Sequence, residues 1–226
     1  MLAIASLAAS AAAAFARPPV VVELFTAQGC DSCDAAEARI NSLADTHGVI
    51  ALTFSVDYWD YLGWKDTFAK PEFADRQRAY DKRLGVAEVF TPQVVVDGRS
   101  QTAAAQPEAI NALVRAAKRV RMDPPLMLWR GERVAIGGGR RPRGGAGVWV
   151  IRYDPHPAPV AVSGGDNRGH TVTERNVVVQ LRRIGAWRGH PMRLSLPPAP
   201  RPGLKTLVLV QGDDGGKILA VLEGKP

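Results

Sequence analysis

The spacing of apolar and polar positions divides the chain into two segments of different period. Residues 20–25 (VVVELF) are rich in β-branched side chains and predict a strand. A turn at Gly29 leads to Cys30-Asp31-Ser32-Cys33, and from Asp34 the spacing becomes helical. Ala36, Ile40 and Leu43 fall at i, i+4 and i+7, and the helix runs out at His47-Gly48. Residues 49–56 (VIALTFSV) predict a second buried strand. Strand, helix and strand with short connections form a βαβ unit, normally parallel and right-handed. Pro71 opens a second helix, with Phe73, Tyr80 and Leu84 on one side and Gly85 at its end. Residues 93–96 (QVVV) predict a strand that stops at the hairpin turn Asp97-Gly98. Pro107-Glu108 starts a last helix, striped by Ile110, Leu113, Val114 and Ala117.

Asp123-Pro124-Pro125 marks a boundary. Beyond it come short strand-like runs at 126–129, 134–136, 147–153, 160–162, 176–181, 192–196, 206–210 and 218–222, separated by Gly and Pro. Many short strands with turn punctuation predict an antiparallel sandwich or barrel. The expected organisation is an α/β domain over 17–122 followed by a smaller β-rich, sandwich-like domain over 123–226. The connector is short and proline-stiffened, so the second segment is expected to dock on the first and narrow access to Cys30.

Composition narrows the classes. With 46% hydrophobic and 23% charged residues, the chain can bury a core. No apolar run reaches the ~20 residues needed to cross a bilayer, so no membrane span is expected. Two cysteines are too few for a disulfide scaffold or a Cys₄ zinc site. The net charge of +7 is uneven: 13 basic and 14 acidic residues up to Met122, then 16 basic and 8 acidic. Aromatics are not interleaved with the basic residues, so that half reads as a solvated, arginine-rich surface and no nucleic-acid partner is expected. Residues 2–16 (LAIASLAASAAAAFA) are apolar, too short to span, and end in the small-x-small triplet Ala14-Phe15-Ala16. Residues 1–16 therefore resemble a secretory signal peptide, although no Lys or Arg precedes the apolar run. Export would make the protein periplasmic or secreted and place its cysteines in an oxidising compartment.

A C-x-x-C at a strand–helix junction has a specific chemical use. The first cysteine meets the unpaired amides and dipole of the helix N-terminus, which stabilise a thiolate. The second, one turn on, can close a disulfide and resolve a mixed intermediate. Cys30 is thus the expected nucleophile, at the first turn of the helix and the more accessible of the two, and Cys33 the resolving thiol. Asp31 and Asp34 would oppose thiolate formation if they pointed at Cys30. Zinc would need two further ligands, and His47 is the sole histidine before residue 123, so neither metal nor cofactor is expected. An inert structural disulfide is the competing reading.

The C-x-x-C within βαβ, with Thr91-Pro92 before a later strand, resembles thioredoxin-like proteins. In that fold the proline is cis, faces the cysteines, and leaves its neighbour's amide and carbonyl free to pair with an extended peptide. The motifs VVELFTAQGCDSC, FSVDYWDYLGWKDTFAKPEF, RQRAYDKRLGV, FTPQVVVDGR and GDNRGHTVTERNVVVQLRRIGAWRG resemble the exported bacterial family catalogued as domain of unknown function 1223. The resemblance covers nearly all of the chain after Arg17. It implies an α/β thioredoxin-like domain, a following β-rich domain and an exported location, and it supplies no reaction.

Other groups surround this centre. Glu23 lies on the first strand one position from where thioredoxins keep a buried acid, so it is a possible proton relay that alternation turns to the other face. Tyr58, Trp59, Tyr61 and Trp64 follow the second strand at the sheet edge that ligands prefer. Tyr58, Trp59 and Trp64, with Thr91, are the candidate substrate wall; the alternative is that they cap the sheet. Asp166-Asn167-Arg168-Gly169-His170 reads as a turn or as a contact to the redox site. The expected function is an exported thiol–disulfide oxidoreductase using Cys30, Cys33 and Pro92 on a thiol- or disulfide-bearing protein or peptide. The alternative is a non-catalytic binding or assembly module with a structural disulfide.

Overall fold

In a computed structural model, which describes residues 18–104 and 107–224, the first segment forms three helices and four strands. These are β1 (Val20–Thr26), α1 (Asp34–Leu43), β2 (Val49–Ser55), α2 (Pro71–Leu84), β3 (Gln93–Val96), β4 (Ser100–Ala103) and α3 (Pro107–Ala117). The signal-peptide reading of residues 1–16 lies outside the described residues.

β1 and β2 are parallel from Val20↔Val49 to Thr26↔Ser55, β3 lies antiparallel on the other side of β1, and β4 extends it. Both β1 and β2 are buried on both faces, which is why they read as mainly apolar runs. Val22 and Leu24 face α1 and α3 through Ala36, Ile40 and Ile110. Val21 and Phe25 face the opposite side, against Phe54 and the α2 residues Phe73 and Tyr80. Pro71 begins α2 and Gly85 ends it in the left-handed conformation, as the spacing predicts. α1 stops at Leu43, four residues earlier than His47, because a turn from Ala44 to Gly48 delivers the chain into β2.

The second segment supplies β5 (Met127–Arg130), β6 (Arg133–Ile136), β7 (Ala146–Asp154), β8 (Ala158–Ala161), β9 (Thr171–Glu174), β10 (Val177–Trp187), β11 (Met192–Ser195), β12 (Lys205–Gly212) and β13 (Ile218–Gly224). Four of them continue the first sheet, whose order is β13-β12-β7-β10-β2-β1-β3-β4. The sheet therefore runs through both sides of the Asp123-Pro124-Pro125 connector. The join is a short parallel contact at Val177↔Thr53. It is reinforced where Thr53 N donates to Asn176 O (3.1 Å), Thr53 Oγ1 to Arg175 O (2.8 Å) and Asn176 Nδ2 to Ala51 O (2.7 Å). A three-stranded sheet, β11-β6-β5, packs over the far end, where Val134 and Ile136 meet Val148, Val150, Val208, Val210 and Trp187. β8 and β9 form a separate hairpin. Its connection, residues 162–170, reaches back to the cysteine pair.

Candidate functional site

Cys30 and Cys33 are joined in a disulfide with Cα atoms 5.5 Å apart. Cys30 immediately precedes a single 3₁₀ turn, Asp31–Cys33, which runs into α1. The turn is closed by Cys33 N donating to Cys30 O (3.1 Å). The expected placement of Cys30 at a helix N-terminus holds, so an opened Cys30 thiolate would face unpaired amides. Asp31 and Asp34 are exposed and lie on solvent-accessible surface. Two hydroxyls reach the Cys30 sulfur: Thr91 Oγ1 at 3.5 Å and Ser32 Oγ at 3.4 Å. Hydrogen bonds to the charged form would favour it. Thr91–Pro92 is a cis peptide, and Pro92 is buried at the head of β3. Ser32 was not singled out by sequence, since a serine inside a C-x-x-C also suits a helical turn.

One expectation fails. Cys30 is not more accessible than Cys33; both residues are 0% exposed. The cover is the 162–170 connection, which lies across Gly29 and Cys30 as a strap. Asn167 Nδ2 donates to Gln28 O and to Cys30 O, each at 3.0 Å, and Asp166 N donates to Gly29 O at 3.0 Å. Two glycines let the backbones touch. A Cβ on Gly165 (φ 71°) would come within 3.0 Å of the Gly29 Cα and 3.1 Å of its carbonyl oxygen. Asn167 itself is buried, so its amide is committed to this contact.

The aromatic loop divides. Trp64 lies at the site: its indole N–H donates to Gln28 Oε1 (3.0 Å), two residues before Cys30. The Gln28 backbone N–H is held by Asp66 Oδ2 (2.7 Å). Tyr58 and Trp59 pack against the core under α2. The Tyr58 hydroxyl donates to Gln77 Oε1 (3.1 Å), and burial pushes its pKa up to about 12. Gln77 Nε2 in turn donates to Phe90 O (2.8 Å), which supports the approach to Thr91. Tyr61 is 81% exposed and takes no part.

Glu23 stands on the face away from α1. Its carboxylate is paired with Arg76 Nε at 2.8 Å and accepts from the Tyr80 hydroxyl. A different set of acids lies beneath α1, and sequence reading missed it. Glu37, one turn after Cys33, is buried and accepts from Thr26 Oγ1 (2.7 Å). Glu174, at the end of β9, is fully buried and accepts from Ser55 Oγ (3.0 Å). Asp66 completes the cluster. Burial pushes Glu37 up to about 8 and raises Glu174 well above its ordinary range, with the neighbouring Glu37 and Asp66 charges adding to the rise. Asp66 is raised too, chiefly by burial. The legible signals were two: Glu37 lies four residues after Cys33, about one helical turn, and Thr26 and Ser55 put hydroxyls at the ends of two mainly apolar strands. Among the described residues no group of three or more His, Cys, Asp or Glu is placed to hold a metal ion, and no helix is long and apolar enough to cross a membrane.

Comparison with known proteins adds a family and a close fold. The family described as "Protein of unknown function (DUF1223)" matches residues 21–211. The X-ray crystal structure of a protein from Agrobacterium tumefaciens is 30% identical, covering 92% of this chain and 94% of that one with a TM-score of 0.74. An endonuclease/exonuclease/phosphatase from Beutenbergia cavernae DSM 12333 matches at 19% identity over 42% of this chain and 21% of that one. Its TM-score of 0.18 carries no argument about fold or chemistry. No curated protein matches.

Proposed function

This chain belongs to the family described as Protein of unknown function (DUF1223), and from its cysteine pair we propose that it is an exported thiol–disulfide oxidoreductase. Cys30 attacks and Cys33 resolves. The observation that carries the reading is the surroundings of the Cys30 sulfur: a helix N-terminus, the Ser32 and Thr91 hydroxyls, and the cis Thr91–Pro92 bond on the adjoining strand. We read the first segment as thioredoxin-like, supported by the strand order β2-β1-β3-β4 with β3 antiparallel and the cysteines between β1 and α1. A disulfide suits an oxidising compartment, in keeping with the signal-like residues 1–16. The substrate is a thiol- or disulfide-bearing protein or peptide that reaches Cys30 beside Thr91 and Trp64.

The covered sulfurs favour a second reading, in which the disulfide only staples the loop. The two part on whether the strap opens. Asn167→Ala removes two hydrogen bonds of about 1 kcal/mol each, so reduction of the disulfide by dithiothreitol should quicken roughly thirtyfold. An unchanged rate would mean that the strap does not limit access.

The function itself is tested by trapping. Cys33→Ser, expressed with its N-terminal segment, should accumulate mixed disulfides through Cys30, visible on non-reducing gels and absent from a variant that also carries Cys30→Ser. The same experiment in an Asn167→Ala background removes closure as an excuse. No covalent partner in either background would leave the staple reading.

A further inference from the structure

Opening or closing a disulfide moves protons as well as electrons, and Cys33 sits where water does not reach. Its proton must come from the protein. Thr26 and Ser55 are directly opposite on β1 and β2, neighbours at about 4.8 Å in a sheet. Each holds one buried carboxyl, Glu37 on Thr26 and Glu174 on Ser55, so the two carboxyls lie side by side beneath α1. Glu37 follows Cys33, the N-cap of α1, by four residues, about one helical turn, which brings the two positions to the same side of the helix start. Glu174 Oε1 is buried and has no hydrogen-bond partner among the described residues, a vacancy that a shared proton would fill.

The charges facing the pair are all negative: Asp34 on α1 and Asp66 after β2. Thr26, Ser55 and Gln28 are neutral, and no salt bridge among the described residues reaches Glu37, Glu174 or Asp66. Asp66 is satisfied by the backbone N–H groups of Gln28, Phe68 and Ala69. Two carboxyls without a cation do not both ionise readily in a dry site.

We propose that Glu37 and Glu174 form a neutral carboxyl pair that gives one proton to Cys33 as the disulfide opens, shares the remaining proton, and takes the first one back as the disulfide closes. The inference rests on the thiol–disulfide reading above. In reduction of the protein, a partner thiolate attacks the Cys30 sulfur, the Cys30–Cys33 bond breaks, and its electron pair leaves on Cys33. Cys33 takes the proton from Glu37, which becomes the carboxylate. In the return direction the Cys33 sulfur attacks the Cys30–partner disulfide and gives its proton to Glu37, and the partner departs as thiolate. Glu37 is thus a positioning and proton-holding residue that acts through Cys33. A neutral pair raised by burial is the state that can donate near neutral pH.

The test uses the reduced full chain and dithiobis(nitrobenzoic acid), which releases one coloured thiolate as Cys30 attacks and a second as Cys33 resolves. Glu37→Gln should leave the first release unchanged. It should slow the second roughly 100-fold at pH 8 and abolish its inflection near there, while Glu37→Asp restores part of the rate. Equal slowing of both steps, or an unaltered pH profile of the second, would overturn the proposal. Should Glu37→Gln not fold, infrared difference spectra of the wild-type protein decide. Reduction near neutral pH should change a protonated-carboxyl band, and an unchanged band would overturn it. The outcomes separate the two claims. Trapped partners with an unaffected second release sink only the proton store; a slowed second release without trapped partners sinks only the function.

Discussion

Replacing Arg76 with methionine is expected to cost the fold about 3–5 kcal/mol, the loss typical of breaking a buried ion pair from one side. Arg76 and Glu23 have side chains 5% and 0% exposed and meet at 2.8 Å. Arg76 Nη2 also donates to the Tyr80 hydroxyl (2.9 Å), and that hydroxyl donates to Glu23. Gln211 Nε2, from β12, donates to the same hydroxyl at 2.9 Å. The guanidinium lies over the rings of Tyr80, Phe54 and Trp149, at 5.1, 5.7 and 5.8 Å. The network therefore ties β1 and α2 to strands from beyond the connector. Methionine keeps most of the packing and removes the charge, leaving a carboxylate in a dry site without its cation. Adding Glu23→Gln should recover much of the loss, because the orphaned charge is then gone. Urea unfolding of the three variants measures this. A loss below about 1 kcal/mol for Arg76→Met, or no recovery in the double variant, would show that the pair does not carry the junction.

The same network explains what was legible in the chain. β1 and β2 are enclosed on both faces, so burial writes itself as a mainly apolar run without polar alternation. Glu23 interrupts that run, and alternation assigned it to the face opposite Leu24, where Arg76 waits. The destination of the later strands was not legible. A strand such as β10 carries the same β-branched start whether it closes a separate sandwich or lies beside β2, and the deciding contact is a single residue pair flanked by Asn176 in a left-handed conformation (φ 53°). β9 escaped notice because Thr171–Glu174 has only four residues, two of them buried in alternation. Burial of the cysteines was hidden for a similar reason. Its cause is a glycine-rich connection some 130 residues downstream, and glycine pairs look alike whether they turn in solvent or allow two backbones to touch. Local chemistry at the C-x-x-C could be read from spacing; what covers it depended on a pairing that spacing does not encode.

The acid pair gives the chain a stability that should fall as the pH rises. Glu37 has an ordinary value of 4.5 and a folded value pushed up to about 8 by burial. Between those two values the folded chain keeps a proton that the unfolded chain has released. Stability then drops with increasing pH, by about 1.4 kcal/mol per unit for one such group. The contribution is intact below about 4.5 and lost as the pH climbs through 8. Glu174 and Asp66 are shifted in the same direction and add to the slope. Asp45 and Asp154 are lowered, Asp45 by its hydrogen bond and ion pair with Arg175, Asp154 by Arg201 and His156 despite some burial. Their contributions disappear only in acid and leave this window untouched. Thermal unfolding of the oxidised protein should therefore show a Tm on the order of 10 °C lower at roughly pH 8.5 than at roughly pH 5. Glu37→Gln, which never ionises, should flatten most of that fall and be the more stable protein at the alkaline end. Parallel curves for the two proteins would mean that Glu37 ionises with its ordinary affinity, and that the carboxyls beneath α1 are not sharing a proton.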